Sequence, residues 1–369
     1  MSRPPALMVR TADALNQACA ALACAPTATL DTEFMRESTY FPQLCLVQIA
    51  TPEALWLFDP LAIELAPLWA ILNARTASLI LHSAEQDLEL IYLAAHALPP
   101  TLRDSQIAAA FLGLGDQMGY GNLVQHLLGI TLDKSQSRTN WADRPLSEAQ
   151  RHYAADDVHY LALIYPELCQ RLADCGRLAW FEEDCAALSN TQRFEPQTSG
   201  LWRRVRGQQL LRSSQRRVLQ AIALWREQWA RQLDLPRRWV LSDEQALELA
   251  NSRGFRAEIL NSHHNARHKL NPDQIQDLRA AVDRARQLPI DDSPEWRSPS
   301  RLNPDTAALI ALMQTKVHAI SRELEISAPL LATADDLQKL IAAPDAPTCK
   351  LNQGWRSQVI AAPLKALLP

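Results

Sequence analysis

Apolar and polar residues follow two different periodicities along the first 190 residues. Residues 27–34 have a period of two, which predicts a β-strand with Asp31 and Glu33 together on one face. The segments 44–50, 55–58 and 78–82 are predicted to be further strands. A helix-like segment, 61–74, separates the last two of these strands.

More helix-like segments follow the fourth strand, at 84–95, 104–112 and 122–128. Three strands in close succession favour antiparallel pairing, because a short turn joins only antiparallel neighbours. A strand that is reached across a helix is typically added in parallel. The pattern therefore predicts an α/β fold in which helices pack on a mixed sheet.

A polar segment without periodicity, residues 129–146, interrupts this pattern. A loop of that length inside a compact domain is usually functional or disordered. It ends at Ser147, three residues before Gln150, and this spacing is a capping box that predicts a helix start. Apolar residues then recur at helical spacing to a predicted stop near Gly176, with a kink expected at Pro166.

Beyond about residue 195 the strand pattern gives way to a basic, helical one. Residues 201–240 contain ten arginines against Glu227 and Asp234, an excess of eight positive charges. Four prolines among polar residues make 289–304 typical of a linker. We therefore predict an α/β domain over 1–195, a small all-α domain over 205–288, this linker, and a second small all-α domain over 305–369.

The composition is that of a folded globular protein. With 369 residues, 47% of them hydrophobic and 21% charged, each domain can bury a core, which excludes disordered, collagen-like and coiled-coil chains. No run of 18 apolar residues occurs, and Arg10 and Asp13 interrupt the apolar N-terminus, so neither a membrane span nor a secretory signal is predicted. Seven scattered cysteines without a CxxC pair favour the reduced cytoplasm.

Carboxylates supply the candidate chemistry. Asp31 and Glu33 lie about 7 Å apart along one strand face, Tyr153 and Asp157 lie one turn apart on the capped helix, and Asp87 follows the fourth strand. Each signal is weak alone, because acidic pairs also occur where a sheet edge faces water. Brought together, ionised carboxylates repel by about 4 kcal/mol per pair at 4 Å and a dielectric constant of 20. Mg²⁺ or Mn²⁺ would compensate that charge, and two such ions commonly serve phosphodiester hydrolysis.

Three segments together resemble the ribonuclease D family of DEDD exonucleases: LDTEF, HSAEQD and KSQSRTNWADRPLSEAQRHYAADDVHYL. The Tyr-x-x-x-Asp motif at Tyr153 and Asp157 resembles the tyrosine subclass. The region to about residue 288 is similar to the helicase-and-ribonuclease-D C-terminal (HRDC) domain, and the closing GWRSQVI is similar to the end of a second, diverged copy.

The resemblance implies a ribonuclease-H-like fold and removal of nucleotides one at a time from RNA 3′ ends, with release of 5′-monophosphates. It implies transfer-RNA precursors as substrates, a monomer, and Asp31, Glu33, Asp87 and Asp157 as ligands of two divalent ions. Asp31 would bridge both ions, and Tyr153 would orient the attacking water. A DNA exonuclease with the same carboxylates, or an RNA-binding scaffold without activity, stays open as an alternative.

The sequence suggests more than one role for several residues near these motifs. Asp156 points about 100° around the helix from Asp157, so we expect a solvated or supporting residue. His82 is expected to be structural, whereas Gln48 fits either contact with the terminal nucleotide or a bond within the fold. Relatives commonly have Asp-Trp where this chain has Asn140-Trp141. This difference calls into question only the contacts that the loop makes.

Basic residues indicate where RNA phosphates would bind. Three lie in the 129–146 loop, namely Lys134, Arg138 and Arg144, and each either binds phosphate or is simply solvated. The arginines of 201–240 interleave with tryptophans, which suit either base stacking or helix packing.

Overall fold

The computed structural model describes residues 3–195, 198–261, 267–289 and 303–368. These residues form two compact units. The first unit combines residues up to Met35, Leu44–Phe194 and the described C-terminal residues 303–368. The second combines Arg36–Gln43 with the described residues between 195 and 289.

A six-stranded mixed sheet forms the centre of the first unit. Its strands are β1 (Ala6–Val9), β2 (Thr27–Met35), β3 (Gln43–Ala50), β4 (Leu55–Phe58), β5 (Ser78–Leu81) and β6 (Leu102–Asp104). The order across the sheet is β1-β4-β3-β2-β5-β6. β3 and β4 are antiparallel, whereas β5 is parallel to β2, as the spacing of the strands predicts.

Both faces of the sheet are covered, because alternate residues of its strands enter two different hydrophobic clusters. On β4, Trp56 and Phe58 pack in one cluster, and Leu55 and Leu57 pack in the other. The second cluster also contains Trp141 from the long loop and apolar residues of the capped helix. The mixed sheet with helices packed on it, expected from the sequence, is confirmed.

Seven helices accompany the sheet in residues 3–195: α1 (Ala12–Cys24), α2 (Ala66–Ala74), α3 (Glu85–Ala95), α4 (Ser105–Phe111), α5 (Tyr120–Leu128), α6 (Glu148–Asp174) and α7 (Leu178–Ala186). The capping box of Ser147 and Gln150 opens α6, which continues through Pro166. The predicted stop is confirmed, since the helix ends just before Gly176, whose φ is +69°. Helices α1 and α7 and the short outer strands β1 and β6 were not predicted.

The C-terminal segment of the first unit is helical, with α12 (Pro304–Glu323), α13 (Ala328–Leu331), α14 (Ala334–Ala342), α15 (Gly354–Arg356), a π-helical turn (Ser357–Ala361) and α16 (Ala362–Lys365). Its residues share a hydrophobic cluster with the sheet domain. Trp355 stacks on Trp180 of α7 at 4.9 Å, and Arg356 forms two hydrogen bonds of 2.7 Å with Asp184. The described residues 305–368 therefore belong to the same compact unit as the sheet, while the domain boundaries stay predictions.

The second unit contains α8 (Ser213–Gln232), α9 (Arg237–Val240), α10 (Asp243–Asn251) and α11 (Pro272–Gln287). The predicted capping box at Ser242 and Gln245 opens α10. Trp202 and Trp225 are buried in the core of this unit, which favours helix packing over base stacking for these two tryptophans. The predicted linker lies mostly outside the described residues.

No described helix has the length and apolar character needed to cross a membrane.

Candidate active site

Strand β2 lies inside the sheet, between β3 and β5, and carries the first two candidate residues. Asp31 and Glu33 are partly buried and alternate with the buried Thr32. Helix α6 packs against this strand, and the Thr29 hydroxyl donates a 2.8 Å hydrogen bond to the carbonyl oxygen of Val158. That bond joins the strand to the turn of α6 that follows Asp157.

The packing brings three of the predicted ligands together. Carboxylate oxygens of Asp31, Glu33 and Asp157 all lie within 4.8 Å of one another. Asp157 is 126 residues from Asp31 in the sequence, so only the docking of α6 on β2 makes them neighbours.

Asp87 comes from the first turn of α3 and is buried, with 7% of its surface exposed. The Thr32 hydroxyl donates a hydrogen bond to its carboxylate. Burial raises the pKa of Asp87 well above its usual value, and the negative charge of Asp31 raises it further. Asp87 is thus close enough to Asp31 to be affected by its charge, and the four residues together are called the carboxylate cluster below.

Burial and mutual repulsion raise the pKa of every member of the cluster. Burial first, then the charge of Asp157, raises the pKa of Asp31. The pKa of Glu33 rises to about 10, through burial and then repulsion by the other three carboxylates. Burial, followed by the charge of Asp156, raises the pKa of Asp157 to about 7 despite a hydrogen bond from Tyr153. The fold therefore holds carboxylates at a place where ionisation is costly without compensating positive charge.

Tyr153 lies one turn before Asp157 on α6, as the spacing predicts, and it forms a side-chain hydrogen bond with Asp157. Burial and then the charges of Asp157, Glu33 and Asp31 raise the pKa of its phenol. The phenol stays protonated near neutral pH and keeps its capacity to donate a hydrogen bond beside the cluster. The ring of Trp141, from the long loop, packs 6.0 Å from that of Tyr153.

Two side chains near the cluster have roles within the fold. Asp156 forms a 2.6 Å ion pair with Arg3, in agreement with a supporting role for this residue. His82 places Nδ1 2.8 Å from the Ser105 hydroxyl, as expected for a structural histidine.

Arg144 anchors the long loop to the sheet domain. Its guanidinium donates to both carboxylate oxygens of the fully buried Asp59, at 2.8 and 2.9 Å, and to the carbonyl oxygen of Cys45 at 2.6 Å. Although burial raises the pKa of Asp59, the hydrogen bond and charge of Arg144 lower it overall. The sequence contains no sign of this pair, because 85 residues separate its members.

Asn140, where the sequence departs from the family pattern, stabilises the same loop. Its side chain donates to Asp143 at 2.8 Å and accepts from the backbone amide of Ala142 at 3.1 Å. The departure is thus accommodated within the loop, next to the buried Trp141.

Carboxylates from a central strand and two helices therefore meet at one place in the sheet domain. The family model described as 3′–5′ exonuclease matches residues 7–173. The sheet domain is therefore of the 3′–5′ exonuclease class.

Relatives that match almost the whole chain identify the family within this class. Ribonuclease D of Gluconacetobacter diazotrophicus is 38% identical over 96% of this chain and 91% of its own length, and that of Xanthomonas oryzae is 38% identical over 92% of each. The crystal structure of Escherichia coli RNase D, an exoribonuclease involved in structured RNA processing, matches with a TM-score of 0.85 and 33% identity, over 99% of this chain and 98% of that one. The chain belongs to the ribonuclease D family, and it is an exoribonuclease.

Proposed function

We propose that this exoribonuclease uses two divalent cations, Mg²⁺ or Mn²⁺, at Asp31, Glu33, Asp87 and Asp157 to release 5′-nucleoside monophosphates one at a time from RNA 3′ ends. The observation that carries the proposal is the convergence of three carboxylates within 4.8 Å, with Asp87 beside them.

The donor set fits hard divalent cations. All four side chains offer only carboxylate oxygens, which Mg²⁺ and Mn²⁺ prefer over nitrogen or sulfur. Two oxygens that bind one Mg²⁺ from opposite sides lie about 4.2 Å apart, and the oxygens of Asp31, Glu33 and Asp157 lie within 4.8 Å of one another. Positive charge at this place also removes the repulsion that raises the four pKa values.

When bound, such ions would activate the attacking water and neutralise charge on the leaving oxygen. The residues of the chain provide the geometry for this reaction. Asp31 and Glu33 are held by the central strand, Asp157 by the docked helix, and Asp87 by the Thr32 hydroxyl. In this proposal the protonated phenol of Tyr153 orients the water, because it lies beside Asp157 and does not ionise near neutral pH.

The proposed substrates are transfer-RNA precursors, processed at their 3′ ends in the cytoplasm by a monomer. Support for a structured RNA substrate comes from the Escherichia coli relative, which is described as acting in structured RNA processing. The proposed compartment rests on the cysteine pattern, since seven scattered cysteines without a CxxC pair favour the reduced cytoplasm.

The HRDC-type second unit is proposed to hold RNA electrostatically through part of its arginines. Arg226 and Arg238 pair with Asp243. By contrast, the exposed arginines before α8 include Arg204, Arg206 and Arg212. Replacing these three with glutamine should weaken RNA binding by the full chain and reduce the slope of log K against log salt by about two to three. An unchanged slope would show that RNA is held elsewhere.

Activity on matched RNA and DNA oligonucleotides, with and without EDTA, tests the proposed function. We expect metal-dependent release of monophosphates from the 3′ end of RNA, and loss of release in Asp31→Asn and Asp157→Asn. Glu167→Gln is the control, since it also removes a negative charge from α6 but at a residue that pairs with Arg171. Release at the parental rate by either cluster variant would refute the site assignment, and preference for DNA would refute the substrate assignment.

A further inference from the structure

Gln48 is a polar side chain within an otherwise apolar, buried segment of β3. It lies between Val47 and Ile49, and all three residues are fully buried. Glutamine is seldom buried to this extent, and buried side-chain amides normally have their hydrogen bonds satisfied by the fold. A specific reason is therefore needed for an amide at this position.

The hydrogen bonds of Gln48 point to Asp31. Its Nε2 donates to Oδ2 of Asp31 at 3.4 Å, and its Oε1 has no hydrogen-bond partner among the described residues. An amide that served the fold alone would be expected to use both its donor and its acceptor. Here the bond that the side chain makes within the described chain goes to a member of the carboxylate cluster.

The pairing of β3 with β2 fixes the position of the Gln48 amide relative to Asp31. β3 and β2 are neighbours in the sheet, and the Thr29 hydroxyl donates to the carbonyl oxygen of Ala50. The contacts of Thr29 with Ala50 and of Asp31 with Gln48 run in opposite chain directions, as in an antiparallel pair. Side chains that lie opposite each other in such a pair are held in contact by the backbone ladder, so Gln48 is a rigid neighbour of Asp31.

We propose that Gln48 is a positioning residue of the hydrolytic site, whose amide nitrogen orients the Asp31 carboxylate for cation binding. This inference rests on the proposed metal-dependent function. A carboxylate can rotate about its terminal torsion, and a fixed donor on one oxygen restricts that rotation and leaves the other oxygen directed at the cluster. Partners of this kind, which hold a metal ligand in place, typically contribute 10- to 100-fold to metal affinity or activity.

Gln48→Met tests the proposal, because methionine keeps the length of the side chain and removes the donor. We expect Mn²⁺ binding to the full chain, measured by titration calorimetry, to weaken by 10- to 100-fold. The RNA KM should stay unchanged, and kcat should recover as the Mn²⁺ concentration is raised. In EDTA the melting temperature should stay within a few degrees of the parent, since the substitution also removes the unpaired Oε1.

Thr51→Val is the matched control, because it also removes a polar group from a buried residue just after the same strand. The Thr51 hydroxyl accepts hydrogen bonds from the backbone amides of Glu53 and Ala54, so its loss should lower the melting temperature without changing Mn²⁺ affinity. Gln48→Leu provides a second donor-free variant if methionine does not fold well, and the same weakening is expected.

The outcomes separate the two proposals. If the parent binds Mn²⁺ and digests RNA while both donor-free variants bind Mn²⁺ equally well, the positioning role of Gln48 is refuted and the proposed function stands. If the parent binds no divalent cation, both proposals fall together. If the variants lose Mn²⁺ affinity only in proportion to a lower melting temperature, Gln48 supports the fold and the inference is wrong.

Discussion

Replacing Asp157 with asparagine removes one negative charge from the carboxylate cluster while nearly preserving the shape of the side chain. Because Asp157 is a proposed metal ligand, we expect this variant to lose nucleotide release. The same variant should be more stable than the parent when no divalent cation is present. A gain in stability that accompanies a loss of activity is the opposite of what damage to the fold would produce.

The distances within the carboxylate cluster determine how large the expected increase in stability is. Carboxylate oxygens of Asp31, Glu33 and Asp157 lie within 4.8 Å of one another. At that distance an ionised pair repels by about 3.5 kcal/mol for an effective dielectric constant of about 20. Protonation of the neighbours relieves part of this repulsion, so we expect Asp157→Asn to raise the free energy of unfolding by about 1 to 3 kcal/mol at pH 8 in EDTA. The melting temperature should rise by about 3 to 8 °C.

The pH dependence of this gain follows from the pKa of Asp157, which burial and nearby negative charge raise from its ordinary value of 3.8 to about 7 in the folded chain. A carboxyl group whose pKa is raised by folding contributes stability below its unfolded pKa and loses it as the pH rises through the folded pKa. The parent should therefore lose stability between about pH 4 and pH 8 in EDTA. The variant lacks this group, so the difference between the two should be near zero at pH 4 and largest at pH 8.

Urea unfolding in EDTA across this pH range measures the effect. Glu167→Gln is the control, since this partly exposed residue of the same helix pairs with Arg171, and loss of such a pair costs about 0 to 1 kcal/mol. The reasoning is refuted if Asp157→Asn is no more stable than the parent at pH 8, or if its advantage is as large at pH 4 as at pH 8.

Three further predictions concern the loop, the C-terminal segment and the cations. Arg144→Gln should destabilise the chain by about 1.5 to 3 kcal/mol in urea unfolding, because it removes charged hydrogen bonds from the buried Asp59, which keeps its ion pair with Arg10. The exposed Arg138→Gln should stay within about 0.5 kcal/mol of the parent. Equal effects would contradict an anchoring role. Trp355→Ala should cost about 3 to 5 kcal/mol through lost packing on Trp180 and should expose the C-terminal segment to limited proteolysis; an unchanged digestion pattern would argue against a docked segment. Saturating Mn²⁺ should raise the melting temperature more at pH 8 than at pH 5, because protons compete with cations for the carboxylates, and an increase independent of pH would contradict this competition.

Local patterns predicted most of the sheet domain. The four predicted strands agree with β2 to β5, and the capping boxes at Ser147 and Ser242 mark true helix starts, because each depends on interactions between residues close in sequence. The outer strands β1 and β6 were not predicted, because segments of four and three residues are too short to show a periodic pattern of apolar residues.

Some features of the candidate site follow from local residue spacing, and the others depend on contacts between residues that are distant in the sequence. The sequence by itself determined that Asp31 and Glu33 share a strand face and that Tyr153 and Asp157 share a helix face, because residue spacing dictates direction in regular structure. Only the tertiary structure decided that these two faces meet, that Thr32 holds Asp87, and that Arg144 is directed at Asp59 instead of solvent. Such contacts join residues 55 to 126 positions apart, and their formation depends on the packing of whole elements, which no local spacing encodes.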